Sequence, residues 1–198
     1  NGIIAEYNPF HNGHKYQMDM SRQMTGADYT VVVMSGDFVQ RGAPALLDKH
    51  RRAEMALKCG ADLVLGLPAI YSTSSAEYFS MGAVSTLDKL GVVTHLCFGS
   101  ECGNVEIMTK AARILVEEPE DFSATMRQYL KQGVSYPNAR NWAMFLNYPF
   151  LQAYRDVFAT PNNILGIEYI KALLRRGSKM SPVTVLRTGA GYHDRMTD

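Results

Sequence analysis

The sequence predicts an α/β fold: a doubly wound parallel sheet of five strands with a helical insertion. Short apolar or β-branched runs recur at Gly2–Tyr7, Tyr29–Met34, Leu63–Leu67, Thr94–Gly99 and Pro182–Leu186. Between the first four of these runs stand stretches with helical spacing, and Gly26-Ala27-Asp28 and Gly60-Ala61-Asp62 repeat one helix-to-strand exit. Each strand leaves through a loop containing glycine, proline or serine. Such repeated strand–loop–helix units place their strands parallel, because each crossover returns the chain to the same sheet edge.

The first unit carries the most chemistry. Gly2 to Tyr7 reads as a buried strand beginning almost at the first residue. Asn8-Pro9 interrupts it, since proline lacks a backbone donor and restricts its predecessor. His11-Asn12-Gly13-His14 follows, and Lys15 to Met24 has the character of a helix. A strand, a glycine-containing turn and a helix N-terminus with two imidazoles suit a bound anion. Free N–H groups and the positive end of the helix dipole face the ligand, and glycine admits a phosphate close to the backbone.

The later elements follow the same plan. Ser35 to Pro44 forms a long polar loop on the ligand side of the second strand. Asp48 caps a helix to about Lys58, with Lys49, His50, Arg51 and Arg52 crowded at its start. These cations form either a solvated face or, at Lys49 or Arg52, a contact to phosphate or RNA. Ala69 to Ser75 is rich in hydroxyls and suits the lining of a small polar pocket. A helix follows from about Ala76 to Leu90. Beyond the fourth strand and Ser100–Asn104, helices are expected at Val105–Val116, Phe122–Lys131 and Tyr136 through Trp142 and Leu146. They form an insertion or lid spanning about residues 105–160, with the acidic break Glu117–Asp121 solvated and Trp142 in the core. Pro161 opens a helix whose buried stripe is Ile164, Ile167, Ile170 and Leu174. Between Lys171 and Arg195, six basic residues face one acid, Asp194. That stretch either supplies helix-end cations or holds a polyanion.

Composition sets limits. The chain has 198 residues, 46% of them hydrophobic, enough for one substantial core. A formal net charge of +1 excludes a global basic field. Cys59, Cys97 and Cys102 make neither a disulfide framework nor a zinc motif, which fits reduced thiols in a cytoplasmic protein. No apolar run reaches membrane-span length and no signal peptide is visible. The chain opens on Asn and stops at Arg195-Met196-Thr197-Asp198, so a piece of a longer protein is expected.

Several separated motifs carry a more specific resemblance. They are Gly2 through His14, Met34-Ser35-Gly36-Asp37-Phe38-Val39-Gln40-Arg41-Gly42, Phe98-Gly99-Ser100-Glu101, Pro161-Asn162-Asn163-Ile164-Leu165-Gly166 and Gly191-Tyr192-His193-Asp194. Together they resemble the N-terminal catalytic part of the bacterial tRNA(Met) cytidine acetate ligase family, within the HxGH-type nucleotidyltransferases. The resemblance covers essentially the whole chain. It implies a Rossmann-like sheet of the HIGH type across residues 1–198. It implies that ATP, with Mg2+ carried on its phosphates, is bound by Ile3, Ile4, Ala5, Glu6, Tyr7, Asn8, Pro9, Phe10, His11, Asn12, Gly13, His14 and Lys15. Gly99, Asn162 and Arg187 complete that site, and His11 and His14 are catalytic.

The implied reaction joins acetate to ATP as acetyl-adenylate and passes the acetyl group to N4 of the wobble cytidine of elongator tRNA(Met). Gln40, Arg41 and Lys49 are expected on the acceptor or tRNA side. Two other readings stay open: an adenylyltransferase acting on a phosphorylated small metabolite, and a catalytically idle RNA-binding module. Related nucleotidyltransferases carry a second phosphate-binding signature, a Ser/Thr-rich loop followed by Arg or Lys, after the last sheet strand. None occurs before Asp198, so that loop and most of the tRNA-binding surface are expected in a C-terminal part.

Overall fold

A computed structural model describes residues 1–187. The Gly191-Tyr192-His193-Asp194 motif lies outside the described residues. Five parallel strands, β1 (Gly2–Ala5), β2 (Val31–Ser35), β3 (Leu63–Leu67), β4 (His95–Ser100) and β5 (Ser181–Leu186), lie in the order β3-β2-β1-β4-β5. The order reverses between β1 and β4, where open α/β sheets bind their ligands. The expected parallel sheet is present.

Alternation along the strands serves two cores. Ile3, Val32, Met34 and Cys97 pack with Met18 of α1 (Asn12–Thr25) and Ala56 of α2 (Lys49–Lys58). Ile4, Val33, Leu96 and Phe98 pack on the other face. There they meet α4 (Ala76–Lys89), α5 (Val105–Glu117) and α8 (Pro161–Arg176). Between α5 and α8 lie α6 (Glu120–Lys131), α7 (Tyr136–Asn147) and a 3-10 segment, Pro149–Phe158, kinked at Tyr154. Phe122, Met144 and Leu151 carry this block into the same core.

Several local expectations are corrected. The first helix begins at Asn12, three residues before Lys15, because His11 is its N-cap. Ala69–Ser72 forms a short helix, α3, and three of the nearby hydroxyls turn back onto backbone carbonyls. The Thr73 hydroxyl donates to Ala69 O, Ser74 to Ile70 O and Ser72 to Phe38 O. Trp142 is 47% exposed, its ring meeting Tyr129 edge-on at 5.2 Å.

The basic residues of α8 are also not a free cationic face. Lys171 is buried beside Glu168 at 2.8 Å, with Glu77 at 3.7 Å. Arg175 pairs with Glu77, and Arg176 meets Asp88 at 2.8 Å. The partners of Arg175 and Arg176 lie on α4, far away in the sequence, so the linear charge count alone could not choose between the two readings. Arg52 is neither solvated nor placed to meet phosphate. It is fully buried and donates to Leu47 O at 2.9 Å, Glu6 O at 2.6 Å, Ser35 O at 3.1 Å and Gly36 O.

Candidate active site

The histidine turn starts where β1 ends. Tyr7 leaves the strand with φ 49°, and its buried ring meets Phe10 and His14, each at 4.8 Å between centroids. That aromatic bed supports the first turn of α1. Ser, Thr, Asp or Asn usually caps a helix; here His11 does so. Its Nδ1 accepts from the Gly13 N–H at 3.1 Å, while His14 Nδ1 accepts from the His11 N–H at 3.3 Å. The two rings stack at 3.6 Å and 22°.

This reciprocal cap decides the tautomers. An Nδ1 that accepts a backbone N–H offers a lone pair, so a neutral ring carries its proton on Nε2. Both imidazoles are then Nε2–H donors. Protonating either at Nδ1 removes a cap acceptor. Desolvation, then His11 and Arg187, push the His14 pKa down to about 4. Desolvation, then Arg187, lower that of His11. The pair is therefore uncharged at neutral pH.

Above it opens a cleft lined by His11, Gly13, His14, Tyr16, Gln17, Gly99, Val185, Leu186 and Arg187. It spans the exits of β1, β4 and β5 and so includes the reversal in strand order. Gly99 keeps its floor open: a Cβ there would lie 3.5 Å from Arg187 Cγ. Backbone N–H of Arg187 donates to Ser100 O at 3.0 Å, which holds that residue at the rim. Stacked neutral donors, a helix start and one guanidinium can receive a polyphosphate.

The sequence-predicted residues divide into groups. His11, Gly13, His14, Gly99 and Arg187 meet at the cleft. Ile3 and Ile4 are buried on opposite sheet faces. Ala5 closes β1, while Asn8 and Pro9, joined by a cis peptide bond, and Asn12 are exposed around the turn. Lys15 pairs with Asp19 at 2.7 Å.

Glu6 and Asn8 turn away from the cleft toward the loop after β2. Glu6 Oε1 accepts from Gln40 N at 2.7 Å, and Asn8 Oδ1 from Leu46 N at 2.6 Å. Gln40, Arg41 and Lys49 belong to that side of the turn and not to the cleft lining. Asn162 donates to Glu101 Oε1 at 2.6 Å and is likewise outside the lining. Sequence reasoning missed Tyr16 and Gln17. Once α1 starts at Asn12, they follow Gly13 at i+3 and i+4 on one helix face, a spacing that would have exposed them.

A model of the HIGH nucleotidyl transferase family matches residues 1–198. The chain belongs to that family. The relatives of this chain include a tRNA(Met) cytidine acetate ligase from Halothermothrix orenii. It is 50% identical over 199 residues, covering 97% of this chain and 47% of the relative. One from Clostridium kluyveri is 49% identical, covering 97% and 48%. The chain thus spans about half the length of the curated relatives it matches. Among solved structures, Thermotoga maritima TmcAL bound with alpha-thio ATP superposes with a TM-score of 0.92 and 44% identity, over 96% of this chain and 46% of that one. The apo form of the same protein gives 0.93 and 43%, over 98% and 46%. Among the described residues, no group of three His, Cys, Asp or Glu side chains is placed to hold a metal ion, and no helix is long and apolar enough to cross a membrane.

Proposed function

We propose that residues 1–198 form the nucleotide-activating catalytic domain of a cytoplasmic tRNA(Met) cytidine acetate ligase, with residues 105–160 as its helical insertion. ATP lies in the cleft at the reversal in strand order, its phosphates over the first turn of α1. The observation that carries this reading is the reciprocal His11–His14 cap, which leaves a neutral Nε2–H donor on each of two residues that line that cleft. The alpha-thio ATP held by the Thermotoga maritima relative supports it, as do the names of the Halothermothrix orenii and Clostridium kluyveri relatives.

A carboxylate is a poor acyl donor, and adenylation supplies the leaving group it lacks. An acetate oxygen bonds to the α-phosphorus as the bond to the bridging oxygen breaks, and pyrophosphate departs with the growing negative charge. The imidazole N–H groups, the helix start and Arg187 stabilise that charge, and the fixed turn aligns the reactants. The cytidine N4 lone pair then attacks the acetyl carbon, AMP leaves and the amine loses a proton. No cysteine nucleophile is required. Magnesium fits as a companion of the phosphates, since Mg2+ commonly keeps its waters and takes few protein ligands.

Acetate-dependent ATP–pyrophosphate exchange by the full-length protein tests the reading. His14→Ala should lower exchange by about 10²- to 10³-fold, the usual loss for a donor aimed at developing charge. Undiminished exchange in that variant would refute it. Exchange supported by a phosphorylated metabolite in place of acetate would transfer the domain to the metabolite adenylyltransferases.

A further inference from the structure

The loop after β2 is a built element. Phe38 and Pro44 form an antiparallel bridge, Val39 N donates to Ala43 O at 3.0 Å, and Gly42 N donates to Val39 O at 2.8 Å with Gly42 at φ 75°. Residues 37–45 are therefore a small hairpin whose tip is Gln40-Arg41-Gly42. Glu6 and Asn8 tie it to the histidine turn, and Arg52 binds the Gly36 and Leu47 carbonyls on either side of it. Ser72 holds Phe38 O from below, and Val39 is buried.

Apolar side chains on this anchored element reach solvent. Phe38 is 47% and Leu46 72% exposed. An exposed aromatic ring on an anchored backbone suits a nucleobase better than it suits water. Lys49 and Arg51 lie at the start of α2 nearby, only loosely neutralised by Asp37 at 3.5 Å and Asp48 at 3.4 Å. Arg41 is exposed at the tip. The cleft lies on the β4–β5 side of the histidine turn, and the hairpin stands on its β2 side. Two reactants can thus approach the turn from opposite flanks.

We propose that the 37–45 hairpin is the docking platform for an unpaired nucleotide of the RNA acceptor, with Phe38 stacking on a base and Arg41 meeting a neighbouring phosphate. This rests on the ligase reading above and assigns the surface by which the second substrate reaches the adenylate. Both side chains are exposed, so truncating them leaves the packed core intact.

The test uses the full-length enzyme with two readouts: acetate-dependent ATP–pyrophosphate exchange, and acetylation of elongator tRNA(Met). Phe38→Ala and Arg41→Ala should change exchange by less than about twofold and lower kcat/KM for tRNA tenfold or more, with Phe38→Trp restoring it. Arg41→Ala should also reduce the dependence of log tRNA affinity on log salt by about one. An unchanged KM and kcat for tRNA overturns the proposal, as does an equal fall in both readouts with unaltered thermal unfolding. A wild-type enzyme that lacks acetate-dependent exchange defeats the ligase reading itself, and the platform falls with it.

Discussion

Lowering the pH probes the histidine cap directly. An ordinary imidazole takes up its proton near pH 6.5, whereas His14 is held down to about 4 by desolvation, by His11 and by Arg187. That separation of about 2.5 pH units corresponds to ~3 kcal/mol at ~1.4 kcal/mol per unit. Because the ring is only partly buried, solvent screening reduces this to about 1–2 kcal/mol. Between pH 6.5 and 4 the unfolded chain binds a proton that the native chain refuses, so stability rises with pH through that window. The contribution is complete above about pH 6.5, is lost as the pH falls, and is gone below 4.

For a chain of this size, that loss lowers Tm by about 2–8 °C between pH 7 and 4. His14→Gln isolates the effect: a glutamine at the third helical position can still accept from the His11 N–H but does not titrate. Its Tm should fall less over the same range. Long-range 1H–15N correlation spectra would show His14 as the Nε2–H tautomer, unprotonated at pH 5.5. A titration near 6.5, or an Nδ1–H tautomer at neutral pH, would refute the cap and with it the direction of the donors.

Two further substitutions test the frame around the turn. Arg52→Met strands the Glu6, Ser35, Gly36 and Leu47 carbonyls; at ~1–3 kcal/mol for each acceptor left dry, with partial relaxation, it should cost about 3–5 kcal/mol in denaturant unfolding. A loss below about 1 kcal/mol would mean that Arg52 does not organise these loops. Gly99→Val puts methyl groups beside Arg187, where a Cβ alone already reaches ordinary contact. Calorimetry should show ATP affinity reduced tenfold or more with Tm nearly unchanged, and unaltered affinity would move the nucleotide off the β4 exit.

What was legible in the sequence follows from how local each cause is. The strands could be read because a buried parallel strand is a short apolar run wherever it sits, and the histidine turn because its cap, glycine and helix lie within four residues. Even there, His11 hid the helix start, since imidazole is an uncommon cap and the chemistry of the motif drew attention away from its spacing. Arg52 could not be read. Its acceptors come from residues 6, 35, 36 and 47, so only the folded chain reveals that a cation in a basic run is an internal strut. The same holds for Arg175 and Arg176, whose acidic partners on α4 lie 98 and 88 positions away.

These corrections alter where an anion can go. Among the described residues, the α8 cations pair with Glu77, Glu168 and Asp88, and Arg52 binds carbonyls. Arg187 lines the cleft on the β5 side of the histidine turn, and Arg41 and Lys49, the latter paired with Asp37, stand on the β2 side. Glu6 and Asn8 lock that second flank to the turn. A displacement of the hairpin would therefore be felt at His11 through residues 6 to 10, a coupling that two independent loops would lack.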